Sequence, residues 1–281
     1  MFDTFDDSLR FFEGAPRTMV AAHRHSDIEL TLVVCGALAI EFGSTTLRIP
    51  ERTFCAFWAA MPHRIVASDE PETFVFSVAL PLARFLHWNL PAELSRSLLD
   101  GQVLCTPHSA MDEMSMRRWR ADLADGSPEN TRIVSLELEA RLRRMARSLN
   151  SASPPALEVR TTSTLGAGKA ERMAQYIAEH FAEPLRVEQI AGSAHVHPTY
   201  AMHLFRETYG VSMIDYLTQR RIAHAQMLLA TTDGAVAAIA VACGFHTVSR
   251  FYAAFREHCG RSPRIYRESL RPSTSHAVAH Q

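Results

Sequence analysis

Two sets of side chains in this sequence are of types that could do chemistry at a fixed site. Near the N-terminus, in AHRHSDIELTLVVCG, His23, His25 and Glu29 stand at i, i+2 and i+6. Side chains alternate between the faces of a strand, so an extended backbone would project all three from one face. Two imidazoles and a carboxylate gathered there could hold a polar small molecule. Near the C-terminus, two short segments carry Thr199, Met202, His203 and Arg206, and Ser249, Arg250, Tyr252, Ala253 and Arg256. Hydroxyl, imidazole and guanidinium groups on an outward helix face are the kind that meet phosphates and base edges in a major groove.

An internal repeat must position the second set. Ile190-Ala191 followed by Ala194-His195-Val196 matches Ile239-Ala240 followed by Cys243-Gly244-Phe245, an offset of 49. Phe205-Arg206-Glu207, Gly210, Ser212 and Tyr216 match Phe255-Arg256-Glu257, Gly260, Ser262 and Tyr266, an offset of 50. One extra residue, near His246, therefore follows the turn of the second unit. Each unit, about 187–208 and 236–258, has the layout of a helix-turn-helix: a short helix with an Ile-Ala contact face, a tight turn, and a second helix held by an apolar stripe. The turn needs positive φ, which Gly244 adopts freely and His195 only at a cost. Val196, Ala201, Leu204 and Phe205 would pack inward in the first unit, and Phe251 and Phe255 in the second. A single such pattern would also suit a helical bundle with solvated polar faces. Two copies at fixed spacing, each ending in Gly-x-Ser before an aromatic, favour DNA.

The bulk composition agrees with two domains. The chain has 281 residues, 47% of them hydrophobic, and a formal net charge of -1. Residues 169–281 carry 12 Lys+Arg against 9 Asp+Glu, and residues 1–168 carry 17 against 21, so the basic part is the C-terminal one. Residues 19–80 are dense in short β-type runs, ELTLVV, ALAIEF, TLRI, TFCAFW and TFVFSVAL, separated by turn-formers. From Met111 the period becomes helical, and Val134, Leu138, Leu142, Met145 and Leu149 form an apolar seam. That seam could pack on the strands or serve as a two-stranded dimer contact. Residues 151–168 read as a Ser/Thr/Pro/Gly-rich linker and 271–281 as a disordered tail. The five cysteines are scattered, with no CxxC, as expected of reduced thiols. An acidic N-terminus and the shortness of the longest apolar run, Ile28 to Ile40, argue against export or membrane insertion and for a cytoplasmic location.

The stretch GFHTVSRFYAAFREHCGRSPRIYR, from Gly244 to Arg267, resembles the signature of the AraC family of transcription regulators. The resemblance implies a seven-helix domain whose two recognition helices, joined by a long helix around Ile214 to Leu229, enter successive major grooves and bend the DNA. The family often has a base-reading Arg or Lys late in the second recognition helix, where this chain has Ala253. The first unit is therefore expected to carry more sequence specificity than the second. The stretches FWAAMPH, LPLARFLHWNLP and RRWRADL are similar to the melibiose-operon regulator subgroup of that family.

The N-terminal spacing HxHxxxE, with Gly36 after it, resembles the first cupin motif, and His63 stands where that motif's later histidine would be expected. The resemblance implies a metal-ligand set of His23, His25, Glu29 and His63, suited to Fe, Mn, Ni or Zn. The glycines of the second cupin motif are missing, with Pro50-Glu51-Arg52 in their place. AraC-type sensor domains generally use this pocket for an effector without metal, which makes His23, His25, Glu29, His63 and the stacking aromatic Trp58 the expected effector contacts.

These readings combine into an α+β two-domain protein. A cupin-like antiparallel β-barrel with helices, for effector binding and dimerisation, spans 1–150; an all-α domain of two helix-turn-helix units spans 169–270. The expected function is a ligand-responsive, sequence-specific transcription regulator, an activator of a carbohydrate-utilisation operon. Its expected partners are double-stranded DNA, a small-molecule effector such as a sugar, RNA polymerase and a second copy of the chain. No catalytic function and no cofactor beyond a divalent metal in the barrel are expected. The alternatives are a metal-dependent cupin enzyme fused to a DNA-binding domain, and a constitutive dimeric DNA-binding protein.

Overall fold

The computed structural model describes residues 8–43, 45–66, 72–151, 157–161 and 167–270. Its N-terminal part runs β1 (Arg10–Gly14), β2 (Ile28–Cys35), β3 (Ala37–Phe42), β4 (Thr45–Pro50), β5 (Thr53–Trp58), β6 (His63–Val66), β7 (Phe74–Leu80), α1 (Leu82–His87), α2 (Ala92–Leu99), β8 (Leu104–Pro107), α3 (Asp112–Asp125), α4 (Pro128–Ser151) and β9 (Glu158–Thr161). The strands form two antiparallel sheets, ordered β1-β7-β2-β5-β8 and β6-β3-β4-β9. The expected cupin-like antiparallel barrel is met in part: the strands are antiparallel and accompanied by helices, but they form two sheets with no ladder closing the ring among the described residues. After an irregularity between Val33 and Cys35, the chain turns at Gly36 (φ +70°) and leaves the first sheet for the second.

The five-stranded sheet is buried on both faces. Val33, Cys55, Phe57, Val75 and Cys105 point inward to Leu38, Ile40 and Ile49 of the second sheet. Ile28, Leu30, Leu32, Phe54, Ala56, Trp58, Phe76 and Val78 point outward into a core built with the helices. Full burial of each such side chain is worth about 1.5–3 kcal/mol, which makes this second layer a main source of stability. The seam residues Val134, Leu138, Leu142 and Met145 are fully buried in that layer, so α4 spends its apolar stripe on the sheet. Arg141 leaves the stripe to pair with Asp112 at 2.7 and 3.0 Å, both side chains buried.

Part of the expected linker is structured. Residues 158–161 pair with β4 as β9, because alternating Glu158, Val159, Arg160 and Thr161 suit an edge strand. Residues 152–156 and 162–166, like the expected tail at 271–281, lie outside the described residues.

The rest is helical: α5 (Ala167–His180), α6 (Val187–Ser193), α7 (Pro198–Tyr209), α8 (Met213–Thr231), α9 (Val236–Ala242), α10 (Val248–Cys259) and α11 (Pro263–Leu270). Two small cores lie along it, one around Phe205 and one around Phe255. Helix α8 serves both, Met213, Tyr216 and Leu217 entering the first and Ile222, Ala225 and Leu229 the second. Its remaining side, with Ala223, Met227 and Ala230, joins the helical layer of the N-terminal part. Burial on three sides explains why this helix shows no clean polar face.

Candidate nucleic-acid interface and buried histidine cluster

The repeat in sequence is a repeat in backbone geometry. Helix α6 ends at a turn in which the amide of Val196 donates to the carbonyl of Ala191 at 3.2 Å; after α9, Phe245 donates to Ala240 at 3.0 Å. The turn residues are His195 at φ +55° and Gly244 at φ +79°. Glycine is required at the second turn for another reason as well, since a Cβ there would stand 2.8 Å from the carbonyl oxygens of Phe181 and Ala182. Helix α7 starts after the N-cap His197, two residues past its turn residue, and α10 after the N-cap Thr247, three past. The extra residue of the second unit is therefore in that connection, as expected near His246.

The Gly-x-Ser pairs close the recognition helices and open the next ones. Gly210 and Gly260 are left-handed C-caps at φ +71° and +67°. Two residues on, Ser212 Oγ accepts from the amide of Asp215 at 3.1 Å and Ser262 Oγ from that of Ile265 at 3.3 Å. The aromatic that follows packs back on the recognition helix: Tyr216 lies 5.4 Å from Phe205 and Tyr266 5.4 Å from Phe255, both edge-on.

This packing fixes what each helix shows to solvent. Thr199, Met202, His203 and Arg206 are all exposed on α7, and Ser249, Arg250, Ala253 and Arg256 on α10. Tyr252 departs from its expected outward place. It is half-buried, because its ring meets Phe251 and joins the second core. Two exposed helices, each set by a tight turn and joined by one long helix, are the arrangement of a double helix-turn-helix DNA-binding domain.

Residues 190–269 match a family model described as a helix-turn-helix domain. The melibiose operon regulatory protein of Escherichia coli K12 is 27% identical over 264 residues, covering 90% of this chain and 85% of that protein. The arabinose operon regulatory protein of Salmonella typhimurium is 28% identical over 135 residues, 48% of this chain and 44% of that one. Among solved structures, the C-terminal domain of AraT, a response regulator from Geobacillus stearothermophilus, is 30% identical; the match covers 42% of this chain and 98% of that one, at a TM-score of 0.37. The chain is thus similar over most of its length to a DNA-binding transcription regulator, and its residues 190–269 are those of a helix-turn-helix domain. Its relatives are regulators, in line with the expectation of no catalytic role.

The N-terminal candidates also come together. One donor atom from each of His23, His25, Glu29 and His63 lies within 4.8 Å of the others. Glu29 is on β2 and His63 opens β6; His23 and His25 precede β2 on a segment held by backbone bonds. His23 and His63 exchange amide-to-carbonyl bonds at 2.9 Å each, His25 donates to Ala59 at 3.0 Å, and Ala59 donates to Asp27 at 3.0 Å. His25 Nε2 is 2.8 Å and His63 Nε2 3.6 Å from Glu29 Oε1. His63 Nδ1 lies 2.9 Å from the carbonyl of Met61, an acceptor, so this ring nitrogen carries a proton and donates. Asp27 Oδ2 stands 3.1 Å from His25 Nδ1 and off its axis, acting there as a charge, and pairs with Arg10.

Electrostatics polarise this group. Burial alone would lower the pKa of His25, but Asp27 and Glu29 outweigh it and raise it to about 9. Burial would raise that of Glu29, yet His25 and His63 hold it well below the usual carboxylate range. His23 is lowered, first by burial and then by its two histidine neighbours.

Trp58 is corrected. It points to the helical side of the sheet, 3% exposed, and its indole N–H donates to the carbonyl of Ser26 at 3.1 Å. The aromatics that meet the cluster are its neighbour Phe57, 5.1 Å from His63, and Phe42, 5.9 Å away. Sequence reasoning missed both, along with Asp27, although parity with His63-facing β-residues would have favoured Phe57 over Trp58.

Proposed function

We propose that this regulator is a sugar-responsive activator of a carbohydrate-utilisation operon, acting in the cytoplasm as a homodimer. The observation that carries this reading is the similarity to the melibiose operon regulatory protein, which extends over 90% of the chain and so includes the N-terminal part as well as the helix-turn-helix units. The domain division at 1–150 and 169–270 gives the N-terminal part the sensing role. A cupin-like reading of its two sheets is supported by the convergence of His23, His25, Glu29 and His63 between them.

In this reading the effector sits beside the polar cluster and the apolar walls of Phe42 and Phe57, making hydrogen bonds at one end and ring contacts at the other. The exposed residues of α7 and α10 contact DNA, and the bound dimer meets RNA polymerase. The effector acts by binding one arrangement of the two parts more tightly than the other.

Thermal-shift measurements with α- and β-galactosides, other sugars and amino acids test this. A sugar that raises the melting temperature of the wild type, and raises it less in Glu29→Gln, supports the reading. If no sugar stabilises the protein while it still binds DNA selectively, the constitutive alternative replaces it.

A further inference from the structure

The two recognition helices are equal in length, α7 at 198–209 and α10 at 248–259, so each position on one has a counterpart at an offset of 50 on the other. Thr199 answers to Ser249, Met202 to Tyr252, His203 to Ala253 and Arg206 to Arg256. The third residue of each helix breaks the likeness in charge: α10 has Arg250 there and α7 has Tyr200, both exposed. Each stands in the first turn, next to Thr199 or Ser249, on the flank of the face that meets DNA. A cation on that flank is placed for the phosphate backbone rather than for base edges.

The charge that α7 lacks is present beside it, on another element. Lys169, in the first turn of α5, is the only lysine of the chain, and its Nζ lies 5.8 Å from the centre of the Tyr200 ring. That is within reach of a cation–π contact, which holds an ammonium in place without neutralising it. Tyr200 is 47% exposed, so the ring and the ammonium on it face solvent at the edge of the recognition helix. Helix α5 itself gains nothing from this residue, because a cation in the first turn opposes the helix dipole.

We propose that Lys169 and Tyr200 together form a DNA-phosphate contact of the first unit, in which the Tyr200 ring holds, from α5, the positive charge that Arg250 carries on α10 itself. The inference rests on the reading of α7 and α10 as DNA-contacting helices and adds a third element, α5, to their surface. A ring and an ammonium drawn from separate helices do the work of one guanidinium. The two units then grip the backbone alike while differing at the bases, where His203 answers to Ala253. Phosphates carry no sequence information, so Lys169 sets affinity and leaves the choice of sequence to its neighbours on α7.

Fluorescence anisotropy with the full chain tests this, on a duplex selected from a random pool and on random duplex, between about 50 and 200 mM salt. Lys169→Gln should weaken binding to both by a similar factor, about threefold to tenfold, and keep the preference for the selected duplex. It should also lower the slope of log affinity against log salt by about 0.9 per bound chain. Tyr200→Arg introduced into the Lys169→Gln chain should restore that slope, since it gives α7 the residue type that α10 has. Because the chain has no other lysine, acetylation of Lys169 by an N-hydroxysuccinimide ester, read by peptide mass spectrometry, gives a second measure, and the selected duplex should protect it. A wild type that binds no duplex overturns the DNA reading and this contact with it. A wild type that binds, with an unchanged salt slope in Lys169→Gln or equal acetylation with and without DNA, overturns the contact alone. A slope lost in Lys169→Gln and not restored by Tyr200→Arg overturns the place assigned to the charge.

Discussion

Arg220, in the middle of α8, donates through Nη1 to the main-chain carbonyl of Leu99 at 2.9 Å, and both groups are buried. This bond joins the DNA-binding part to the end of α2, and Asp100 adds a carboxylate 3.9 Å from the same guanidinium. Hydrogen bonds from a charged donor are worth about 1.5–3 kcal/mol, so this contact alone can bias docking by more than tenfold. Arg220→Met should keep the aliphatic packing and lose the bond. The expected outcome is faster hydrogen exchange along the face of α8 that holds Ala223 and Met227, with the folds of both parts retained. Unchanged exchange there would show the bond to be incidental.

The two turns differ in what they tolerate. Gly244→Ala meets two carbonyl oxygens and a left-handed backbone, and should cost more than the ~1–2 kcal/mol that left-handed backbone alone costs a non-glycine residue. His195→Gly removes that strain from the first turn and should be neutral or stabilising by up to about 1 kcal/mol. Urea unfolding of the two variants measures both, and equal destabilisation would contradict the account.

Recognition should be unequal between the units. His203 and Arg206 stand exposed on α7, whereas α10 presents Ala253 and tucks Tyr252 partly into its core. His203→Ala or Arg206→Ala should reduce the preference for selected over random DNA more than Ser249→Ala does. A good bidentate base contact is worth about 1–3 kcal/mol of discrimination. Gel shifts at fixed salt give the comparison, and equal losses would count against it.

His224 supplies a pH dependence. Its pKa is lowered from the ordinary 6.5, first by burial, with the Asp100 charge opposing and Arg220 adding to the effect. The folded chain therefore binds this proton less readily than the unfolded one. The stability due to neutral His224 is complete above about pH 6.5 and is lost as pH falls toward the lowered value. His224→Gln should flatten the fall in urea midpoint between about pH 7 and 5. A variant that falls as steeply as wild type would remove His224 from the explanation.

The repeat was legible because it is made of residues with one mechanical use each. Gly210 and Gly260 cap, Ser212 and Ser262 start the next helix, and Tyr216 and Tyr266 lock onto Phe205 and Phe255, so residue type reports position. The histidine cluster was legible for a related reason, since i, i+2 alternation holds even on the bridge-like segment before β2. Parity failed in β5, where Thr53 to Trp58 are all buried. A strand packed on both faces has no polar residue to say which side is which, and Trp58 was assigned to the wrong one. Strand β9 escaped because an edge strand of four residues needs little apolar content, and its partner β4 lies over a hundred residues earlier. The Arg220 contact to Leu99 spans 121 residues and has no local signature at all.

Both helix-turn-helix units are expected to read DNA together. Hydroxyl-radical footprinting of the full chain, on duplexes selected from a random pool, tests it most directly. Two protected patches on one face of the duplex, about one helical turn or ~34 Å apart, are predicted, with the patch of the first unit lost in Arg206→Ala. A single patch that survives in Arg206→Ala, or no selection of any duplex from the pool, would contradict it.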